Sequence, residues 1–478
     1  MKNKKYKGIL MIFVLVLVIY CPSTILSYIE NYHEPSIAQA NTISRVVVFS
    51  IDAFRHNYIG RGDTPTLDWF LEQGIKAEYC VPSNPSVTAV NHVSMITGNH
   101  PDIHGVLGNT FYDWEDNKAY SLFSDATDPY RDTNTGLHLL TTEPAIIHAE
   151  DEGIDSMAIG WPYVDSGTFY EGKEPEFVFD YDYLGANNIR TNKGVAKKTV
   201  DVIKSHPEIG LVFAWMPGTD SSAHSFGTDA YQVENSIESV DSSLQYFLEE
   251  MEKADLLKET IVVLASDHGM ADVSDDEYFL EDKSFFINAE TETGISPYIA
   301  HDAALELLYF IGETNVTKVE KFADYLRGGD GIQAVYVNEA NSAIGMNHMD
   351  RGVNISVFLD PGRSRNFGGS YEGMHGYLNN NTDMYGIFLA AGPGIKQNIS
   401  VPGMDIIDIA PTILDLLDIE SGFSSEGSIL TNIYGTRSTD FSYPVEDEEP
   451  TESITAIIPL LIAFLGLPTI NRLRKKRN

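Results

Sequence analysis

The sequence predicts an α/β fold: a mostly parallel central sheet with helices on both faces and an inserted cap region. Three observations lead there. Short β-branched runs alternate with amphipathic helical segments from residue 45 to about residue 420. The runs are apolar throughout, as strands buried on both faces are, and do not alternate in the manner of half-solvated strands. Most end in polar residues ahead of a helix start, and that β-then-α grammar builds a parallel sheet between two helical layers.

Taken in order, "RVVVFSID" (45–52) reads as the first strand, and "TPTLDWFLEQG" (64–74) as a helix opened by Thr and Pro and stopped by Gly. The grammar returns in "GIDSMAIGWP" and in "GLVFAWMPGTD" after the helical "GVAKKTVDVIKSHPE". It returns again in "ETIVVLASDHGM" and in "DMYGIFLAAGPG" before "DIIDIAPTILDLLDIE". From about 275 to 370 mixed short elements break the rhythm, and this stretch reads as an insertion lying over the site.

Composition narrows the function classes. A chain of 478 residues with 43% hydrophobic content buries a large core, and its 32 basic against 69 acidic residues leave a formal net charge of -37. Such a chain repels polyphosphate backbones, so no nucleic-acid-binding surface is predicted. Of two cysteines, Cys21 sits in an apolar N-terminal run, which leaves Cys80 unpaired if that run is removed and excludes a disulfide framework.

The two ends carry targeting signals. Four lysines precede the apolar run in "MKNKKYKGILMIFVLVLVIY", the pattern of an export signal or N-terminal anchor, placed at 1–40. At the other end, the apolar 454–470 is followed by the basic tail 471–478 and preceded by an acidic linker at 436–453. That order predicts a C-terminal transmembrane segment with the main domain, 41–435, outside the cell-surface membrane.

In an open α/β sheet, ligands gather beyond the carboxyl ends of the strands. There this sequence places Asp52, then Asp220 and His224, then Asp267 and His268, while "YEGMHG" adds His375. Any one of these also fits a plainer role as a turn former or surface histidine. Together, three carboxylates and three imidazoles suit divalent ions, with zinc first and manganese or another divalent ion next. Asp220 and His224, four apart, face one way on a helical turn, and His375 completes a first site. Asp52, Asp267 and His268 form the second, with a fourth position open.

Thr88, in "NPSVTAVNHVSMITGNHPDIHG" (84–105), fits that position. Its plainer role is a helix N-cap. Beside a cation its hydroxyl becomes an alkoxide nucleophile, and a pair of such ions holds the attacking and leaving oxygens of a displacement at phosphorus.

These motifs resemble those of the nucleotide pyrophosphatase/phosphodiesterase (NPP) family of the alkaline phosphatase superfamily, over about residues 45–420. "PSVTAVNH" is similar to the family's P-[ST]-x-T-F-P-N-H at Pro85, Ser86, Thr88, Asn91 and His92. "TGNHPDIHGVLGN" resembles the segment that carries the family's oxyanion asparagine, which falls on Asn109. "PGTDSSAHSFG" resembles P-D-x-x-G-H-x-x-G with Pro217 displaced and Ala223 in place of Gly; "SDHGM" matches the metal motif and "GMHGY" the final one. The resemblance implies an alkaline-phosphatase-like fold. It also implies a zinc on Asp220, His224 and His375, and another touched by Asp52, Thr88, Asp267 and His268.

It implies hydrolysis of a phosphodiester or phosphoanhydride, in a small phosphodiester or nucleotide, through a phospho-threonine on Thr88, with Asn109 and the Thr88 N–H stabilising the charge. Where the family has an aromatic residue after the nucleophile, this chain has Ala89 and Val90. Trp161 and Tyr163, in "GWPYVDSG", are the expected substitute for stacking on substrate. The alternatives are another reaction of the superfamily (phosphomonoester, phosphonate or lipid phosphodiester hydrolysis) or an inactive module that keeps its metals. The Cys-x-Pro-x-Arg and Ser-x-Pro-x-Arg signatures of sulfatases are missing at the Thr88 motif.

Overall fold

Residues 44–122, 131–132, 135–180, 190–274, 278–279, 284–365, 371–419, 422–436 and 441–445 are described by the structure, a computed structural model. The strands that matter for the site are β1 (Arg45–Ile51), β2 (Gly74–Ala77), β3 (Ser156–Ile159), β4 (Phe177–Phe179), β5 (Leu211–Met216) and β6 (Thr260–Ala265). There follow β7 (Tyr298–Asp302), β8 (Leu305–Tyr309), β9 (Ile332–Val337), β10 (Ile355–Leu359), β11 (Phe388–Ala391) and β12 (Ile399–Val401).

The central sheet has the order β12-β2-β11-β6-β1-β5-β3-β4. Strands β6, β1, β5, β3 and β4 pair in parallel. β11 runs antiparallel to β6 and β2. The run "DMYGIFLAAGPG" therefore departs from the uniform series that its composition suggests. A chain arriving at the carboxyl ends of the parallel strands enters the sheet in the opposite direction, and that entry carries the preceding segment, with His375, along the rim of the site.

β1 is buried at every position because both of its faces are covered. Val47, Phe49 and Ile51 join one core with residues of α1 (Pro65–Gln73), including Leu67 and Phe70. Val46 and Val48 join the other with Val93 and Ile96 of α2 (Thr88–Thr97) and Ile146 and Ile147 of α3 (Ala145–Asp151). Alternate side chains point to opposite faces of a strand, so a continuous β-branched run fills two cores at once. Each such side chain contributes roughly 1.5–3 kcal/mol by leaving water.

α4 (Asn192–Ser205) and α6 (Tyr231–Lys253) cover the same face as α1. In α6, Val233, Ile237, Val240, Leu244, Phe247, Leu248 and Met251 line up at helical spacing to form the apolar stripe. The Thr-Pro start of α1 is real, but Thr64 does not cap it. Asp241 of α6 accepts instead from the N–H groups of Thr66 and Leu67, at 3.2 and 2.7 Å. Between them lies α5 (Asp220–Phe226).

Within the expected insertion, β7, β8, β10 and β9 form an antiparallel sheet in that order. Leu308, Phe310 and Val357 pack there on Phe322 and Leu326 of α8 (Val316–Arg327), with Ala289 of α7 (Ser284–Thr293), in a core of their own. The last α-helix among the described residues is α9 (Ile409–Leu416). Cys80 is buried with a free thiol.

The N-terminal segment 1–40, the apolar 454–470 and the tail 471–478 lie outside the described residues. Among the described residues no helix is long and apolar enough to cross a membrane. Within the expected acidic linker 436–453, Phe441 and Tyr443 are buried, their rings 5.4 and 5.1 Å from Trp69 of α1. Two aromatic side chains with an apolar shelf in reach leave water.

Candidate functional site

Three neighbouring parallel strands deliver the carboxylates. Asp52 follows β1, Asp267 lies two positions past the end of β6, and Asp220 opens α5 after β5. The turn from β5 to α5 is tied to Asp52 itself. Thr219 donates its N–H to the Asp52 carbonyl at 3.0 Å, and Gly218 sits at φ 53° where a Cβ would meet that carbonyl oxygen at 2.3 Å. Only glycine allows this approach, and it sets Asp52 and Asp220 side by side.

The six predicted ligands converge in two groups, Asp220/His224/His375 and Asp52/Asp267/His268, and within each group the ligand atoms lie within 4.8 Å of one another. The groups are contiguous, since the rings of His268 and His375 stack with centroids 4.0 Å apart. Thr88 Oγ1 lies 3.4 Å from His268 Nε2. Thr88 is the first helical residue of α2; Val87 is the N-cap, so the threonine hydroxyl does not cap the helix.

Every histidine of the set has Nδ1 held by a backbone carbonyl: His224 by Gly373 at 2.8 Å, His375 by Ser86 at 3.0 Å and His268 by Gly269 at 2.9 Å. A carbonyl only accepts, so Nδ1 carries the proton and Nε2 presents its lone pair to the cluster. Burial, then the nearby His268 and His224, holds the His375 imidazole well below its ordinary pKa and so keeps it neutral.

The carboxylates complete the pattern. Asp52 Oδ2 accepts from Trp215 Nε1 at 3.1 Å, and Asp267 Oδ1 from the N–H groups of Ala53 and His268 at 3.1 and 2.9 Å. Asp52 Oδ1, Asp267 Oδ2 and Asp220 Oδ1 are buried without a hydrogen-bond partner. Burial and the charges of Asp267 and Asp220 push the Asp52 carboxyl well above its usual range. Unpartnered buried oxygens of three acids, facing three imidazole lone pairs, fit divalent cations.

Asn109 precedes the strand Thr110–Asp113 and is nearly buried. Its Oδ1 accepts the Ala89 N–H at 2.8 Å, which binds the loop to the first turn of α2 next to Thr88. Asn91 fastens the loop before Thr88: it accepts from Ser83 N–H at 2.7 Å and donates to the Pro85 and Val87 carbonyls. His92 donates from Nδ1 to the Thr88 carbonyl at 2.8 Å.

Trp161 and Tyr163 depart from expectation. They are 1% and 0% exposed, so neither offers a ring face to a ligand. Trp161 packs edge-on against His92 and Phe213 and donates Nε1 to the His92 carbonyl, which buttresses α2 from behind. Two further residues at the site have no signal in periodicity or spacing: Trp215, which reads as one more apolar strand residue, and Asp302, whose oxygens accept from Asn109 N–H and Nδ2 at 2.5 and 3.0 Å.

Comparison with known proteins follows the same lines. Residues 46–360 match the family model described as type I phosphodiesterase/nucleotide pyrophosphatase. An uncharacterized pyrophosphatase/phosphodiesterase of Schizosaccharomyces pombe is 26% identical over 81% of this chain and 80% of its own length. Member 3 of the ectonucleotide pyrophosphatase/phosphodiesterase family from Bos taurus is also 26% identical over 81% of this chain, which spans only 43% of that relative.

The solved murine ectonucleotide pyrophosphatase/phosphodiesterase 5 superposes with a TM-score of 0.71 at 22% identity, covering 82% of this chain and 100% of that one. An inactive threonine-to-alanine form of the murine protein was solved in complex with AMP. The match over most of the catalytic body, with the fold and the convergent strand-end groups, places the chain: it belongs to the type I phosphodiesterase/nucleotide pyrophosphatase family of hydrolases.

Proposed function

We propose that this protein is an exported phosphodiesterase/nucleotide pyrophosphatase that cleaves small phosphodiesters or the diphosphate bonds of nucleotides through a phospho-threonine on Thr88. The observation that carries the reading is the meeting of the Thr88 hydroxyl with two contiguous groups of Asp and His, within 3.4 Å of His268. The inactive murine threonine-to-alanine form with AMP supports a catalytic threonine and a nucleotide substrate in this fold. Residues 41–435 would form the catalytic domain, with 275–370 as its cap, held at the cell surface by the terminal apolar segments.

Asp220, His224 and His375 would hold one zinc ion, and Asp52, Asp267 and His268 the other, with manganese the next choice. Bound there, such ions lower the pKa of a neighbouring hydroxyl and neutralise charge on phosphoryl oxygens. Thr88 Oγ1 gives up its proton to solvent and bonds to phosphorus as the bond from phosphorus to the leaving oxygen breaks, and that oxygen departs toward Asp220, His224 and His375 and takes a proton from solvent. Water then hydrolyses the phospho-threonine. Asn109 Nδ2 and the Thr88 N–H donate to the phosphoryl oxygen as its charge builds. Three Nδ1 protons committed to backbone carbonyls leave these histidines as ligands and not as general acids.

A second reading, hydrolysis of a lipid phosphodiester or a phosphonate, draws on one observation: Ala89 stands after the nucleophile, and Trp161 and Tyr163 are buried. The test is a substrate panel of bis-p-nitrophenyl phosphate, p-nitrophenyl phosphate, a nucleotide p-nitrophenyl ester and p-nitrophenyl phosphorylcholine. Preference for the diester and the nucleotide ester is expected. Preference for the monoester overturns the assignment, and preference for phosphorylcholine moves it to the second reading.

A further inference from the structure

We propose that Asp302 is a positioning residue: from the inserted sheet, it sets which end of the Asn109 amide faces the phosphoryl group. The inference rests on the reading of Asn109 as a donor in phosphodiester hydrolysis. An asparagine side chain is nearly symmetric in shape, and a half-turn about its last torsion exchanges an acceptor for a donor at little steric cost. Only its hydrogen-bond partners decide which end points where.

At Asn109 the partners are opposite in kind. Oδ1 accepts the Ala89 N–H, at 2.8 Å, within the first turn of α2. Nδ2 donates to Asp302 Oδ1 at 3.0 Å, while the Asn109 N–H donates to the other Asp302 oxygen at 2.5 Å. A reversed amide would set donor against the Ala89 donor and acceptor against the carboxylate, so a single orientation survives. One Nδ2 hydrogen is spent on Asp302; the second remains for a phosphoryl oxygen beside Thr88.

The chain makes room for this clamp. Asp302 is the last residue of β7 and is 4% exposed. A Cβ on Gly108 would fall 2.9 Å from Asp302 Oδ2 and 2.8 Å from the Thr110 carbonyl, so glycine lets the loop close over the carboxylate. Two residues on, the Ala304 N–H donates to the His375 carbonyl at 3.1 Å. The same short stretch of the insertion thus touches both the Asn109 loop and the backbone of a predicted ligand.

The test is a double-variant cycle on bis-p-nitrophenyl phosphate with zinc-loaded protein: unaltered chain, Asp302→Ala, Asn109→Ala and the two together, with Asp302→Asn as a variant that keeps side-chain volume. Asp302→Ala should lower kcat about tenfold to a hundredfold with KM nearly unchanged, and Asp302→Asn should do likewise, because its amide cannot accept at both oxygens. In the Asn109→Ala background the same change should cost almost nothing further. An equal loss in both backgrounds overturns the proposal, since Asp302 would then act through something else.

Hydrogen–deuterium exchange of the same proteins gives a readout independent of turnover. Faster exchange confined to peptides within 86–92 and 105–112 of Asp302→Asn supports the clamp, and unchanged exchange there overturns it. If the unaltered chain fails to cleave the diester, the phosphodiesterase reading falls, and exchange alone decides the role of Asp302.

Discussion

His268 and His375 stack ring on ring, centroids 4.0 Å apart and planes 19° from parallel, though 107 positions separate them in the chain. Each belongs to a different group of three candidate ligands, so the stack joins the two groups. His375→Ala should reduce bound zinc from about two equivalents to about one by elemental analysis, and turnover by at least a hundredfold, roughly the range seen when metal shells are broken. Two retained equivalents would remove His375 from the set.

Thr88→Ala should abolish turnover, by on the order of 10³-fold or more, while zinc content and thermal stability stay near those of the unaltered chain. The threonine caps nothing, so its removal leaves α2 intact. Thr88→Ser should keep measurable activity. Activity in the alanine variant equal to that of the unaltered chain sinks the nucleophile assignment.

Trp215→Phe keeps an aromatic ring, though a smaller one, and removes the N–H that Asp52 Oδ2 accepts at 3.1 Å. Asp52 then loses its fixed orientation, and zinc affinity, read by competition with a chromophoric chelator, should fall about 10–100-fold. Unchanged affinity would make Trp215 a packing residue only.

Removing metal should cost stability as well as activity. Three buried carboxylates, each with an oxygen lacking a hydrogen-bond partner, converge on the two groups, and a bound cation would satisfy all three. Chelation should lower Tm and eliminate turnover, and zinc should restore both; saturation at a hundred times Kd is worth about 2.7 kcal/mol per site. A Tm indifferent to chelator and zinc would argue against metal in these groups.

The pH dependence of stability carries a signature of Asp302. Burial raises its carboxyl from 3.8 to about 7, against the hydrogen bonds from Asn109 that favour the charge. The folded state therefore keeps a proton that the unfolded state has already released, and stability falls as pH rises between these two values. Denaturant unfolding at fixed zinc should show Asp302→Asn losing that contribution, a slope difference of up to about 1.4 kcal/mol per pH unit. Parallel profiles for the two proteins would rule it out.

Much of this molecule was legible in one dimension because backbone geometry repeats at short range. The β-branched 45–51 reads as a strand covered on both faces and 64–74 as a helix opened by Thr and Pro, and both elements form where the sequence places them. Asp52, Asp220 and Asp267 stood out because strand ends are where such sheets bind ligands. The spacing of Asp220 and His224 put both on one helical face, and His375 was readable from its motif.

Other features depended on contacts between distant segments, which no local pattern encodes. That β11 runs against its neighbours follows from where the chain returns out of the insertion. Trp161 and Tyr163 carry the composition of a binding wall, yet packing against α2 and the core leaves neither accessible. Asp302 lies 193 positions from Asn109, and Trp215 lies 163 from Asp52. The candidate ligand set was thus a property of the sequence, since an acid or imidazole at a strand end keeps its chemistry wherever the chain goes. Orientation was decided only in three dimensions, because a carboxylate or amide points where its hydrogen-bond partners hold it, and those partners arrive from elsewhere in the fold.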